Sequence, residues 1–260
     1  MTDVALCCAS HSDAILQANL AASPMVASQP LHVERGAASA AVAYNRLINA
    51  TTAPVIILAH HDVYLPQGWD KLLQSRLSEL TVIDPDWALF GAFGIGLDAV
   101  PIGPVWSSSL GQIVGRVPMA PVPVQSFDEL LIILNRKSGL RFDETLPGWH
   151  FYGTDIVTQA RAAGLTAYAG ALPCIHNDRY HEALGADFTE AYRHQQRKWH
   201  SLLPVRSPIT KISRSGLHLI RDTWSARQSK RFRAGMATDT GTPPATIAAR
   251  CGWSNLDTSA

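Results

Sequence analysis

No run of apolar residues in this 260-residue chain approaches the roughly 18 that cross a bilayer. Nothing in it therefore reads as a membrane span. Cysteine is scarce, and the four present, Cys7, Cys8, Cys174 and Cys251, form no Cys-x-x-Cys pair. A reducing compartment fits that usage best. An excess of charge is missing too: 22 Lys and Arg against 21 Asp and Glu leave a net charge of +1. A nucleic-acid partner is not expected, because such binders carry a basic excess or stripe. The first residues also lack a basic stretch followed by an apolar one, so the expectation is a cytoplasmic protein, at most touching the inner face of the membrane. What is present is 47% hydrophobic residues with 17% charged. Those proportions suit a globular chain with room for one α/β domain and appendages.

The first ninety residues alternate strand-like and helix-like segments, the pattern of βαβ units and a parallel sheet. Val4–Ala9 and Val55–Ala59 are uninterrupted apolar runs of the kind found in central strands, and 31–33 reads as a further strand. Helices are expected over 13–22, 37–49 and 69–80. Residues 87–96 read as a strand ending in glycines. The Gly-, Pro- and Ser-rich stretch 97–123 resists assignment, as binding loops and lids often do. An edge strand is expected at 122–124, and 128–134 reads equally as strand or helix. A helix over 154–163 stops at Gly164, a closing strand follows over 165–171, and 173–178 reads as a loop.

Beyond a polar helix at 190–200, the segment 217–233 sets Leu217, Ile220 and Trp224 against Arg221, Arg227, Lys230, Arg231 and Arg233. It is either a helix docked by its apolar side or an amphipathic contact with anionic lipid. The expected organisation is a catalytic-type domain over 1–203, a basic helical extension over 204–236 and a disordered tail over 237–260.

Polar residues at the carboxyl end of a central parallel strand are where ligands bind in open α/β sheets. His60, His61 and Asp62 stand there. Residues two apart in an extended chain face the same way, which puts His60 and Asp62 together and turns His61 away. Alone, such a triplet equally caps a strand.

The run AYNRLINATTAPVIILAHHDVYLPQGW, residues 43–69, resembles the core of bacterial family 2-type glycosyltransferases. It is closest to the glycosyltransferase-like group with His-x-Asp in place of Asp-x-Asp. The resemblance resumes at 141–178, RFDETLPGWHFYGTDIVTQARAAGLTAYAGALPCIHND. It implies a GT-A fold, with a mostly parallel central sheet flanked by helices and a C-terminal helical extension. It also implies transfer of a sugar from a UDP-, GDP- or dTDP-sugar to an acceptor that the sequence does not identify.

By the same resemblance Asp62 holds a divalent cation on the donor diphosphate and His176 is the second protein ligand. An imidazole favours Mn2+ over Mg2+. His60 stands where an aspartate is usual, so a contact to ribose or phosphate is as open as one to the metal. Ser10, Glu34, Asn45, His60 and His61 are the implied donor-binding set, although Ser10 and Glu34 serve equally as loop or capping residues. Trp106 and Trp149 either stack on sugar faces or belong to the core.

Inverting transfer needs a base for the acceptor hydroxyl. The family's acidic pair before the long helix is missing, with Tyr152 and Gly153 in its place. Asp155 is the first candidate, at a helix N-terminus that favours the carboxylate, and a simple helix cap is the alternative. His150 is the second, because an imidazole titrates near neutral pH. Two other expectations compete with transfer: a non-catalytic domain of this fold that binds a nucleotide sugar or glycan, and a metallohydrolase using His60, His61, Asp62 and His176.

Overall fold

The two longest apolar runs become neighbouring strands in the middle of a sheet. In the computed structural model, which describes residues 3–178, 184–236 and 241–257, the strands are β1 Val4–Ala9, β2 Leu31–Glu34, β3 Val55–His60, β4 Val63–Tyr64, β5 Leu89–Gly91, β6 Gly94–Gly96, β7 Pro101–Ile102, β8 Val105–Ser107, β9 Gln112–Val114, β10 Val122–Phe127, β11 Leu131–Asn135, β12 Ala167–Ala169, β13 Cys174–His176, β14 Val205–Arg206 and β15 Lys211–Ile212. The helices are α1 Asp13–Ala18, α2 Ala40–Asn49, α3 Trp69–Ile83, α4 Tyr152–Ala162, α5 Ala186–Lys198, α6 Leu217–Gln228, α7 Lys230–Met236 and α8 Pro244–Arg250.

Nine strands form one sheet in the order β2-β1-β3-β11-β5-β12-β10-β6-β7. β2, β1 and β3 pair in parallel, and so do β5 and β12, while β11 runs antiparallel between β3 and β5. Helices cover both faces, and the side-chain alternation shows it directly. Ala5, Cys7, Ile56 and Leu58 pack on one side with Tyr44, Ile48, Ile156 and Tyr192 from α2, α4 and α5. Leu6, Cys8, Val55 and Ile57 pack on the other with Leu16, Trp69, Leu72 and Leu77 from α1 and α3. A strand buried on both faces must be apolar at every position, which is why β1 and β3 read as unbroken runs. Each fully buried Leu or Ile contributes about 1.5–3 kcal/mol of transfer free energy. The helices start where local chemistry allows: Ser12 caps α1 by accepting from Ile15 N, and Ser39 caps α2 by accepting from Val42 N.

Several elements differ from the expectation. Residues 87–96 break into β5 and β6 rather than forming one strand. β10 is interior to the sheet, between β12 and β6, and not an edge. The unassigned stretch 97–123 and the expected loop 173–178 supply most of a second, four-stranded sheet, β4-β13-β8-β9. That sheet approaches the first through glycine: Gly103 (φ 114°) and Gly115 (φ 88°) bring backbones so close that a Cβ at Gly103 would lie 1.8 Å from Ala92 O and one at Gly115 1.9 Å from Gly103 O.

The tail also departs from expectation. The part of 237–260 read as disordered that is described, residues 241–257, carries α8, whose Ile247 and Ala248 are buried against Tyr64 and Ile175 of the small sheet. Cys251, Trp253 and Trp106 pack around the same contact. The chain then runs along α3, where Leu256 N donates to Gln67 O at 2.7 Å and Lys71 pairs with Asp257. Residues 237–240 and 258–260 lie outside the described residues. No helix among the described residues is long and apolar enough to cross a membrane.

Candidate metal and donor site

The carboxyl ends of β1, β2 and β3 meet at one edge, since Ala9 is opposite both Glu34 and His60. β3 delivers His60, the turn after it carries His61 and Asp62, and β4 begins at once. β13 pairs antiparallel with β4, His176 opposite Val63, and Asn177 N donates to Asp62 O at 2.9 Å. Strand pairing thus sets His176 beside Asp62. Among the described residues His60, Asp62 and His176 are the group whose ligand-capable atoms all fall within 4.8 Å of one another. His176 Nε2 is 3.5 Å and His60 Nδ1 4.0 Å from Asp62 Oδ1.

Asp62 Oδ1 is buried and makes no hydrogen bond of ordinary geometry, a costly state for a charged oxygen. Burial alone would raise its pKa, but the His176 imidazole, then His60 and His61, hold the carboxyl well below the usual carboxylate range. His176 shows the mirror image. Burial would depress it, yet Asp62, with Asp178 and Asp128, pushes it up to about 10. A bound cation would replace that proton. Two imidazoles and one carboxylate form a donor set that first-row divalent ions accept, Mn2+ and Zn2+ included. A buried carboxylate oxygen whose near neighbours are two imidazoles, at 3.5 and 4.0 Å, fits such an ion.

The orientation of His60 is fixed from behind. Its Nε2 lies 2.6 Å from Tyr152 Oη, and Tyr152 donates to Glu129 O at 3.2 Å. The pattern satisfying both bonds has His60 donate from Nε2, leaving Nδ1 as an acceptor on the Asp62 side. His61, in the turn after β3, points instead toward Ser10 and His11. Its Nδ1 is 2.9 Å from Ser10 Oγ, its ring lies 4.5 Å from that of His11 at a tilt of 54°, and burial lowers its pKa. A four-ligand site that includes His61 is therefore not what the geometry offers.

The other expected site residues divide. Ser10 and Glu34 do sit at the strand ends, Ser10 N donating to Glu34 O at 2.9 Å, with Glu34 also bound by Arg46 at 2.8 Å. Asn45 is occupied elsewhere. Its amide donates to Phe142 O and Glu144 Oε1, and its oxygen accepts from Phe142 N, so it braces the 142–144 loop. Asp155 is corrected outright as a base. It is 1% exposed, and its two oxygens accept from Gln159, Gln195, Lys198 and Trp199 at 2.7–2.9 Å. A carboxylate so enclosed ties α4 to α5 and cannot reach an acceptor hydroxyl. His150 is at the surface, 3.2 Å from Asp187. Trp106 belongs to the cluster under α8, and Trp149 is exposed.

Two acids escaped the sequence reading. Asp128 and Glu129 lie just before β11, where Leu130 O accepts from His60 N at 2.9 Å. Burial raises the pKa of Asp128, and burial with the neighbouring Asp128 charge pushes Glu129 up to about 8. Glu129 Oε1 accepts from Gly153 N at 3.2 Å at the start of α4, and Glu129 and His150 line one small cavity. The adjacent acids were visible in FDELLIIL, but the partial enclosure that shifts them was not.

No family profile matches the chain. Over 124 residues it is 29% identical to the Fuscovulum blasticum protein named "ATP synthase subunits region ORF 6", which covers 44% of this chain and 47% of that protein. The match thus spans about half the length of the curated relative. Among solved structures, similarity extends to GalNAc-T7 with UDP, GalNAc and Mn2+ (TM-score 0.48, 10% identity, 78% of this chain and 52% of that chain). It also extends to the mannosyltransferase PcManGT from Pyrobaculum calidifontis with GDP-Man and Mn2+ (0.44, 10%, 96% and 79%). A197 from STIV is a third (0.42, 9%, 66% and 82%). At these scores the geometry of the site has to carry the functional reading.

Proposed function

We propose that this chain is a glycosyltransferase of GT-A type that takes its sugar from a nucleotide diphosphate donor, with His60, Asp62 and His176 holding a divalent cation, Mn2+ in preference to Mg2+. The observation that carries the reading is the convergence of these three side chains at the carboxyl edge of β1, β2 and β3, around a buried carboxylate oxygen without a hydrogen bond. The resemblance of 43–69 and 141–178 to family 2-type transferases supports it. When bound, the cation supplies positive charge where a diphosphate leaving group becomes negative.

The residues themselves do the rest. Ser10 and Glu34, at the ends of β1 and β2, would meet the nucleoside. Tyr152 holds the His60 imidazole in one tautomer. Glu129 takes the place given up by Asp155: its carboxyl, raised above the ordinary carboxylate range by burial and the neighbouring Asp128, would accept the proton of an acceptor hydroxyl. A direct attack on the anomeric carbon with that base inverts its configuration. His150, on the rim of the same cavity, is the second candidate. Calorimetric titration of UDP, GDP and dTDP with and without Mn2+ tests the reading. Cation-dependent binding of one of them supports it, and the absence of any refutes it.

One observation favours a second reading. Asp155, the first candidate base, is sealed between α4 and α5, which favours a domain that binds a donor or glycan without transferring it. Metal-dependent hydrolysis of a donor that disappears in Asp62→Ala decides for the enzyme.

A further inference from the structure

We propose that α6 and α7 form an arm that docks the protein on an anionic lipid surface. Residues 217–236, which span the two helices, hold five Lys and Arg and one Asp, a net +4 in a chain whose total is +1, so the remainder carries −3. The positive charge of the molecule is thus concentrated in one helical arm. At about 100° per residue, Leu217, Ile220 and Trp224 share one face of α6, and they are 66%, 69% and 64% exposed. Leu219 on the opposite face is buried, and there Asp222 accepts from Thr210 Oγ1 at 2.6 Å. The helix is therefore docked by its back, and its apolar stripe points away from the body.

Arg221 and Arg227 flank that stripe, and α7 adds the exposed Phe232 beside Arg231. An exposed aliphatic and indole stripe bordered by cationic side chains matches the interfacial zone of a bilayer, where an indole sits at headgroup depth and Arg meets phosphate. The near absence of acid from the arm fits a negatively charged surface and not a mixed-charge protein face. This inference does not rest on the transferase reading.

The test is co-sedimentation of the full chain with vesicles of phosphatidylcholine alone and of phosphatidylcholine mixed with phosphatidylglycerol. Binding is expected to the mixed vesicles, to weaken with salt over the range where charges are screened, and to be nearly lost on neutral ones. Each basic residue near such a surface strengthens binding about fivefold, so Arg227→Glu with Arg231→Glu should weaken it by more than about twentyfold. Trp224→Ser should weaken it separately. Both variants alter exposed positions, so an unchanged circular dichroism spectrum keeps folding out of the result. Equal binding to both vesicle types, or charge reversal without effect, overturns the proposal. So does self-association lost in Trp224→Ser without any vesicle binding, which would assign the stripe to a second copy of the chain.

Discussion

Cation binding at His60, Asp62 and His176 should strengthen steeply with pH, because His176 must first lose a proton. With its pKa pushed up to about 10, His176 is an imidazolium at pH 7. Removing that proton costs about 4 kcal/mol, from roughly 1.4 kcal/mol per unit over three units. Apparent affinity at pH 7 is then about a thousandfold below its limit and rises about tenfold per pH unit. Asp62 adds no slope in this range, since its carboxyl is held below the ordinary carboxylate value. The sign of the stability effect follows. The raised His176 pKa stabilises the cation-free fold at neutral and acid pH, and that share fades as pH rises through about 10. The lowered Asp62 pKa stabilises it above the ordinary carboxylate value, and that share fades in strong acid. Calorimetry of Mn2+ binding at several pH values, in buffers of different ionisation enthalpy, counts the protons released. Close to one is expected near pH 7, and His176→Asn should abolish both the release and the slope. Equal affinity across the range with no proton released would mean that His176 is not a ligand.

Other outcomes follow from the same geometry. Asp155→Ala should cost about 1–3 kcal/mol for each donor left without its acceptor, Gln195 and Trp199 above all, since Lys198 keeps Asp143 at 2.6 Å, while cation binding by the folded fraction is kept; a fully stable but inactive variant would restore Asp155 as the base. Glu129→Gln should lower transfer by about a hundredfold or more with nucleotide affinity unchanged, and the wild-type rate should climb with pH up to about 8, where Glu129 ionises; an unaltered rate removes Glu129 from the chemistry. Ile247→Ala, which empties the contact of α8 with Tyr64 and Ile175, should cost about 2–4 kcal/mol and weaken Mn2+ binding by loosening β13; unchanged melting would show that α8 does not brace the small sheet.

The sheet was legible where burial on both faces forced every residue of a strand to be apolar, as in β1 and β3. The proximity of His60 to Asp62 was expected from strand alternation, although Asp62 in fact stands in the turn after β3. The small sheet was not, because its strands are two or three residues long and are held by tertiary contact and glycine approach, not by any periodic pattern. Asp155 shows the limit for a site. An acid at the start of a helix reads the same whether it faces a substrate or is sealed under another helix, and the donors that seal it from outside its own helix, Gln195, Lys198 and Trp199, come from the end of α5 and the residue that follows it. Glu129 shows the converse, since the two acids preceding β11 are next to each other in the chain but owe their raised pKa values to burial. The tail misled by composition: Thr, Ala and Pro around 240–246 suggested disorder, yet Ile247 and Ala248 suffice to dock one short helix.

The most direct measurement is anomalous diffraction at the manganese edge from crystals grown with Mn2+ and, in turn, UDP, GDP and dTDP. A single peak touching His60, Asp62 and His176 and the two phosphates of one nucleotide is the predicted result. Nucleotide bound elsewhere, or manganese absent from these three residues, would contradict the account.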